Sequence, residues 1–179
     1  MSVPKIIIVT DTHFFHRKME ELCGRPKDFE VRIFKALQSV LTPEDILIHL
    51  GDIVLASGQE AKAHDMFVQT LPGKKWLVRG NHDRKSNNWY LNHGWDFIAD
   101  SFRDVYFGKV VAFSHVPIAD DGYDINIHGH FHNTDHRNHE PALQAIKNPK
   151  QYLLALEYNA YQPWNLQTLL EHPEKYNNK

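Results

Sequence analysis

With 179 residues, 42% hydrophobic and 23% charged, the chain has the makeup of a globular protein long enough to bury a sizeable core. A formal charge of −2 gives no general pull toward nucleic acid or an acidic membrane surface, and the only cysteine, Cys23, excludes an internal disulfide and a cysteine-based zinc site. No apolar run is long enough for a leader or a membrane span, so the expectation is one cytoplasmic domain, residues 1–179, with no membrane role and no obligate protein partner.

Residues 5–10 form a continuous β-branched run, the pattern of a strand covered on both faces. It ends in Asp11-Thr12-His13, and a short helical turn from Lys18 is stopped by Gly24. Asp28 is the expected N-cap of a helix whose Ile33, Ala36, Leu37, Val40 and Leu41 share one face, and Pro43 ends it. A second strand, 46–50, runs into Gly51-Asp52. Ser57-Gly58-Gln59-Glu60 has capping-box form and opens a helix with Ala63, Met66, Phe67 and Leu71 inward, broken at Pro72-Gly73. A third strand, 75–78, leads to Asn81-His82-Asp83, and a helix is expected over 86–93. This alternation implies parallel strands joined by right-handed crossovers.

The second half reads as a hairpin, 102–106 with 110–114, turning at Phe107-Gly108-Lys109 and ending at His115. A strand over 125–128 then meets His128-Gly129-His130-Phe131-His132. A polar loop, a strand over 152–157 and a short helix from Asn165 complete the chain. No internal repeat or linker composition interrupts it.

Five polar clusters thus sit just beyond strand ends: Asp11/His13, Asp52, Asn81/His82, His115 and His130/His132. That edge is where open α/β sheets bind ligands. Each fragment alone has an ordinary reading: Gly-Asp is a common turn, Asn-His-Asp can cap a helix, and a histidine-rich loop can simply be surface. Five together, all nitrogen or oxygen donors, point to chemistry. If the backbone stays extended, His130 and His132 project to one side, as do Asp11 and His13. Asp11, His13 and His132 can then hold one cation, and Asn81, His115 and His130 a second, with the Asp52 carboxylate shared. Hard oxygen and borderline imidazole, without sulfur, suit two divalent ions, Mn²⁺ first, with Fe, Zn²⁺ or Ni²⁺ also compatible. Such a pair is the clamp used for in-line displacement at phosphorus.

Asp-x-His, Gly-Asp, Gly-Asn-His-Asp, a lone His and Gly-His-x-His, in that order, resemble the calcineurin-like metallophosphoesterase superfamily. The motifs span residues 11–132, and the region around Tyr161-x-Pro163 is similar to its small single-domain bacterial and phage members. The resemblance implies an α/β four-layer fold, two packed mixed sheets flanked by helices. It implies one metal on Asp11, His13, Asp52 and His132, another on Asp52, Asn81, His115 and His130, and His82 as catalytic histidine. Phe15 departs from the pattern, since close relatives often carry Gly there.

The expected reaction is therefore metal-dependent hydrolysis of a phosphoester, as a phosphodiesterase, with His82 protonating the leaving oxygen. Substrates in view are a small molecule, a cyclic nucleotide or a nucleic-acid end, and the short chain leaves no room for a large cap over the site. Asp83 either orients His82 or caps a helix. His16, Arg17, Arg84 and Lys85 either contact substrate or are surface residues, and His128 is a possible supporting residue. His49, His64, His93 and His172 read as structural or surface residues, and His136 and His139 as loop residues. Phe14, Phe15, Trp89, Tyr90 and Phe131 offer a base-stacking surface unless they are core. Two alternatives remain: a non-catalytic metal-binding scaffold of the same fold, against which His82 and a full ligand set count, and a nuclease, against which the missing basic stripe counts.

Overall fold

The opening β-branched run becomes an inner strand of a sheet, which is why it needs no polar face. In the computed structural model, which describes residues 3–119, 122–133 and 148–173, this strand is β1 (Ile6–Val9). It pairs in parallel with β2 (Ile46–His49), which pairs with β3 (Lys74–Val78), which pairs with β4 (Phe97–Ala99). On its other side β1 takes the short antiparallel strand β9 (Trp164–Asn165), giving the order β4-β3-β2-β1-β9.

The expected hairpin forms the edge of a second sheet. β5 (Ser101–Tyr106) and β6 (Lys109–Ser114) are antiparallel, and β6 continues in parallel to β7 (Ile125–His128) and β8 (Gln151–Leu153). The sheets share one apolar core that includes Ile8, Val9, Leu47, Ile48 and Leu77 from the first and Val111, Phe113 and Ile127 from the second. Trp76 of β3 meets Phe102 of β5 edge-on, ring centroids 5.8 Å apart. Helices α1 (Met19–Leu22), α2 (Phe29–Val40), α3 (Glu60–Ala63), α4 (Asn87–Leu91) and α5 (Leu166–Glu171) complete the α/β fold of two mixed sheets flanked by helices. No helix among the described residues is long and apolar enough to cross a membrane.

Local chemistry sets several ends as expected. Asn165 Oδ1 accepts from the Thr168 N–H at the start of α5, and Ser86 Oγ accepts from the Trp89 N–H at the start of α4. Other expectations need correction. Asp28 is at the N-cap of α2, but its carboxylate accepts from Arg32 Nε at 2.9 Å rather than from backbone. The Ser57 capping box does not form; Gln59 precedes α3 without a side-chain cap bond. After α3 the chain enters a π-helical turn, His64–Val68, closed by Gln69 N–H to His64 O at 2.8 Å. The extra residue in that turn shifts the helical phase, so Met66 is 46% exposed instead of inward. The strand expected over 152–157 stops at Leu153, and a 3-10 turn, Leu156–Asn159, follows.

Candidate metal centre

The ends of β1, β2 and β3 in one sheet and of β6 and β7 in the other meet along a single seam. Asp11 N–H donates to Gly51 O (2.9 Å) and His13 N–H to Asp52 O (3.1 Å), tying the first two loops. Asp83 ties the third: Oδ2 accepts from the Asp52 and Gly80 N–H groups, both at 2.8 Å, and Oδ1 from Ile53 N–H at 3.2 Å. Asp83 therefore neither orients the His82 ring nor caps α4; it stitches the loops after β2 and β3. Burial, with the nearby Asp52 charge, pushes its carboxyl up to about 6 against those three bonds. His115 Nδ1 and Leu50 O, 2.8 Å apart, join the second sheet to the first.

Two glycines let the loops come this close. A Cβ on Gly129 would strike Thr10 Oγ1 and Asp11 Oδ2, and a Cβ on Gly80 would strike Asp52 Oδ1. The carboxylates occupy the space those side chains would need.

The backbone is not extended at the histidine pairs, contrary to the sequence expectation. Nine non-glycine residues among those described have a left-handed backbone, and five of them are Asp11 (φ 51°), His13 (46°), Asp52 (57°), His130 (76°) and His132 (51°). Each such residue costs on the order of 1–2 kcal/mol. Curling the chain at each strand end is what turns these side chains toward common points, and strain gathered in this way marks a functional site. Phe15 is left-handed as well (φ 65°), which accounts for the glycine expected there. Here Glu30 Oε1 holds the Phe15 N–H at 2.6 Å.

Donor atoms of Asp11, His13 and His132 lie within 4.8 Å of one another, and so do those of Asp52, His115 and His130. All six residues are buried. Asp52 Oδ2 faces both groups, 3.7 Å from His13 Nε2 and 3.4 Å from His115 Nε2. Asn81, an exposed residue, brings Oδ1 within 3.0 Å of His115 Nε2. His82 belongs to neither group: it is half-buried, its backbone N–H donates to Asp52 Oδ1 (2.9 Å), and its Nε2 lies 3.8 Å from Asp52 Oδ2.

The polar atoms fit cations. Asp11 Oδ1, Asp52 Oδ2 and both ring nitrogens of His13 are buried without a hydrogen-bond partner, which is costly unless something else satisfies them. Burial above all drives His13 well below its ordinary pKa, so it is a neutral donor. Burial opposes charge on Asp52 and His115, but their mutual attraction prevails, helped by the His82 N–H on Asp52 Oδ1 and by Leu50 O at His115 Nδ1. Asp52 is held well below the carboxylate range, and His115 is raised to about 9.

The remaining expected residues divide. His16 comes to the edge of the site, its ring 5.6 Å from that of His13, and burial and the His82 charge lower its pKa. Arg84 and Lys85 line a cleft of about 420 Å³ beside His82, whereas Arg17 turns to Glu20 and Lys27 O at the surface. His128 is buried and, for that reason, lowered to about 4. His49 supports the site from beneath, accepting the Gly51 N–H at Nδ1 and meeting Thr12 Oγ1 at Nε2. Phe14, Tyr90 and Phe131 are core residues; Phe15 and Trp89 are half-buried. His136 and His139 lie outside the described residues. Sequence reasoning missed Arg25 and Glu157, whose buried ion pair (2.8 Å) lies behind His132.

A model of the family of calcineurin-like phosphoesterases matches residues 4–174. The chain belongs to the calcineurin-like phosphoesterase family. Over 185 residues, covering 98% of this chain and 94% of the other, it is 29% identical to an uncharacterized protein of Methanocaldococcus jannaschii. The crystal structure of a protein of unknown function from Aquifex aeolicus superposes with a TM-score of 0.75 at 27% identity, covering 94% of this chain and 99% of that one. Membership makes a phosphoester the fitting substrate for a calcineurin-like phosphoesterase fold with two groups of candidate ligands.

Proposed function

We propose that the protein is a phosphodiesterase working with two divalent cations, Mn²⁺ the first choice. Asp11, His13, Asp52 and His132 hold one cation; Asp52, Asn81, His115 and His130 hold the other. The observation that carries this reading is the single oxygen, Asp52 Oδ2, buried, without a hydrogen-bond partner and facing both groups. Two cations held there supply positive charge for the phosphoryl oxygens and acidify water near neutral pH. His82 supplies the proton that the leaving oxygen needs when the phosphorus–oxygen ester bond breaks. Its backbone is pinned to Asp52, so the ring stays beside the seam without being spent as a ligand.

A diester carries two arms on phosphorus, and two clefts share lining residues with the site. One is the cleft beside His82, and the other, of about 480 Å³, is lined by Asn81, His115, Pro117 and Arg79. A monoester would leave one of them without an occupant, and this supports the diester. The test is kcat/KM on bis-p-nitrophenyl phosphate and p-nitrophenyl phosphate after Mn²⁺ reconstitution, with a chelator control. Preference for the diester is expected. Preference for the monoester would overturn the diester assignment, and equal rates with and without chelator would overturn the metal requirement.

A further inference from the structure

Behind the first ligand group lies a buried set of charges that the mechanism above does not use. Arg25, whose side chain has no exposure, donates through Nε to Glu157 Oε1 at 2.8 Å. It also donates to Asp11 O at 2.8 Å and Thr12 O at 3.2 Å, and so grips the left-handed loop that carries Asp11 and His13. The same Glu157 oxygen lies 3.4 Å from His132 Nδ1.

Donor atoms of Cys23, His132 and Glu157 also fall within 4.8 Å of one another, a spacing that a cation can use. The Arg25 guanidinium already places a fixed positive charge against Glu157, which argues against a third cation there. The cluster makes better sense as the support of a ligand. His132 Nε2 faces the first group, 3.8 Å from Asp11 Oδ1. A neutral imidazole offers a lone pair at one nitrogen only when the proton sits on the other. Among the described residues two groups stand 3.4 Å from Nδ1: Glu157 Oε1, which only accepts, and Arg25 Nη2, which only donates. Arg25 Nη2 makes its shorter bond, 2.8 Å, to Asp11 O, and Glu157 Oε1 is the acceptor on that side of the ring.

We propose that Glu157 is a positioning residue, which accepts the Nδ1 proton of His132 and thereby turns Nε2, as a lone pair, toward Asp11 and His13. Arg25 holds the carboxylate and the ligand loop in register. The role rests on the two-cation reading and assigns Glu157 to the first site alone. Carboxylates that orient a ligating histidine are worth roughly 10- to 100-fold in metal affinity.

The test is a Co²⁺ titration of chelated, dialysed protein, followed by visible absorption and calorimetry, on wild type, Glu157→Gln and Glu157→Ala. Wild type takes two ions in resolvable steps. Glu157→Ala weakens one step by about 100-fold and leaves the other unchanged. Glu157→Gln, which keeps the shape and one accepting oxygen, folds even if the alanine variant does not, and weakens the same step by about 10-fold. Wild-type affinity for both ions in the glutamine variant, or equal weakening of both steps, would overturn the role. The ring proton's place is a readout independent of metal: long-range ¹H–¹⁵N spectra of chelated wild type should show the His132 proton at Nδ1, and a proton at Nε2 alone would overturn the proposal. Failure of wild type to bind two ions would overturn the proposed function itself, and that outcome is distinct from a variant that matches wild type.

Discussion

In the first ligand group the donor atoms stand apart from one another, whereas in the second they already touch. Asp11 Oδ1 and both nitrogens of His13 are buried and unpartnered. His115, by contrast, has Leu50 O at Nδ1 and both Asn81 Oδ1 and His130 Nδ1 within 3.0 Å of Nε2. The first group is held open from behind, by Arg25 on its loop; the second is closed on itself at the front. A group held open pays for its unsatisfied atoms whenever nothing fills it, and a self-bonded group must give up contacts to take a ligand. The two halves of one centre should therefore respond differently to the same perturbation.

Asp52 Oδ2 faces both halves, so on the proposed reading its removal should have the largest effect. Asp52→Ala is expected to lose more metal than any other single ligand change and to lose more activity than the roughly 10⁴-fold ceiling of one positioned acid. Metal analysis after Mn²⁺ reconstitution checks this. Equal metal loss in His13→Ala would mean that Oδ2 serves one group only.

His82 stands outside both halves. His82→Ala should leave metal content and melting temperature unchanged while kcat/KM falls by about 10²–10⁴ for an alkoxide leaving group. The loss should be smaller for p-nitrophenolate, which leaves without a proton. An identical loss on both substrates would leave His82 an electrostatic role only.

The contrast itself is tested by stability in chelator. His13→Leu removes ring nitrogens that make no hydrogen bond and should change unfolding free energy by less than about 0.5 kcal/mol, or stabilise. His115→Leu strips the donor from buried Leu50 O and should cost about 1–3 kcal/mol. Urea melts of both variants decide it, and equal costs would erase the distinction. Saturating Mn²⁺ should raise the wild-type melting temperature, by the equivalent of about 2.7 kcal/mol at a hundredfold excess over Kd.

The smallest effect is on pH dependence. His115 is raised to about 9, so its contribution in chelated protein is fully present below the unfolded value near 6.5 and is lost as pH rises through 9. The limb should be no steeper than about 1.4 kcal/mol per pH unit. His115→Leu should flatten it. His13→Leu should not, because His13 is held neutral throughout that range. Unfolding free energies at several pH values between 6.5 and 9 provide the measurement.

The residues that the fold gathers as candidate donors are legible because each is written next to a strand end in a motif of two to five residues, and strand ends are what hydrophobic runs reveal. Their geometry is not: an extended Asp-x-His and His-x-His are expected, and left-handed turns at Asp11, His13, His130 and His132 do that work instead. Asp and His enter the left-handed region more readily than most residues, but that preference is too weak to read at a single position; the surrounding contacts impose it. The same holds for β9, two residues whose pairing with β1 is a tertiary decision, and for β4, three residues that give no alternation to read. Met66 faces outward because a π-helical turn breaks the 3.6-residue period that would turn it inward. Arg25 and Glu157 were invisible because two charges so far apart in sequence read as surface until the fold pairs them. The acidic end of the run over 152–157 was the one signal available.

One hydrogen bond has a practical consequence. The His82 amide proton sits on Asp52 Oδ1, whose sister oxygen faces both ligand groups. Electron density drawn from one carboxylate oxygen is felt at the other, so anything that engages Oδ2 weakens the acceptor seen by that amide. The backbone N–H resonance of His82 is thus a built-in reporter of ligation at Asp52, readable in a ¹H–¹⁵N correlation spectrum without touching a single donor residue.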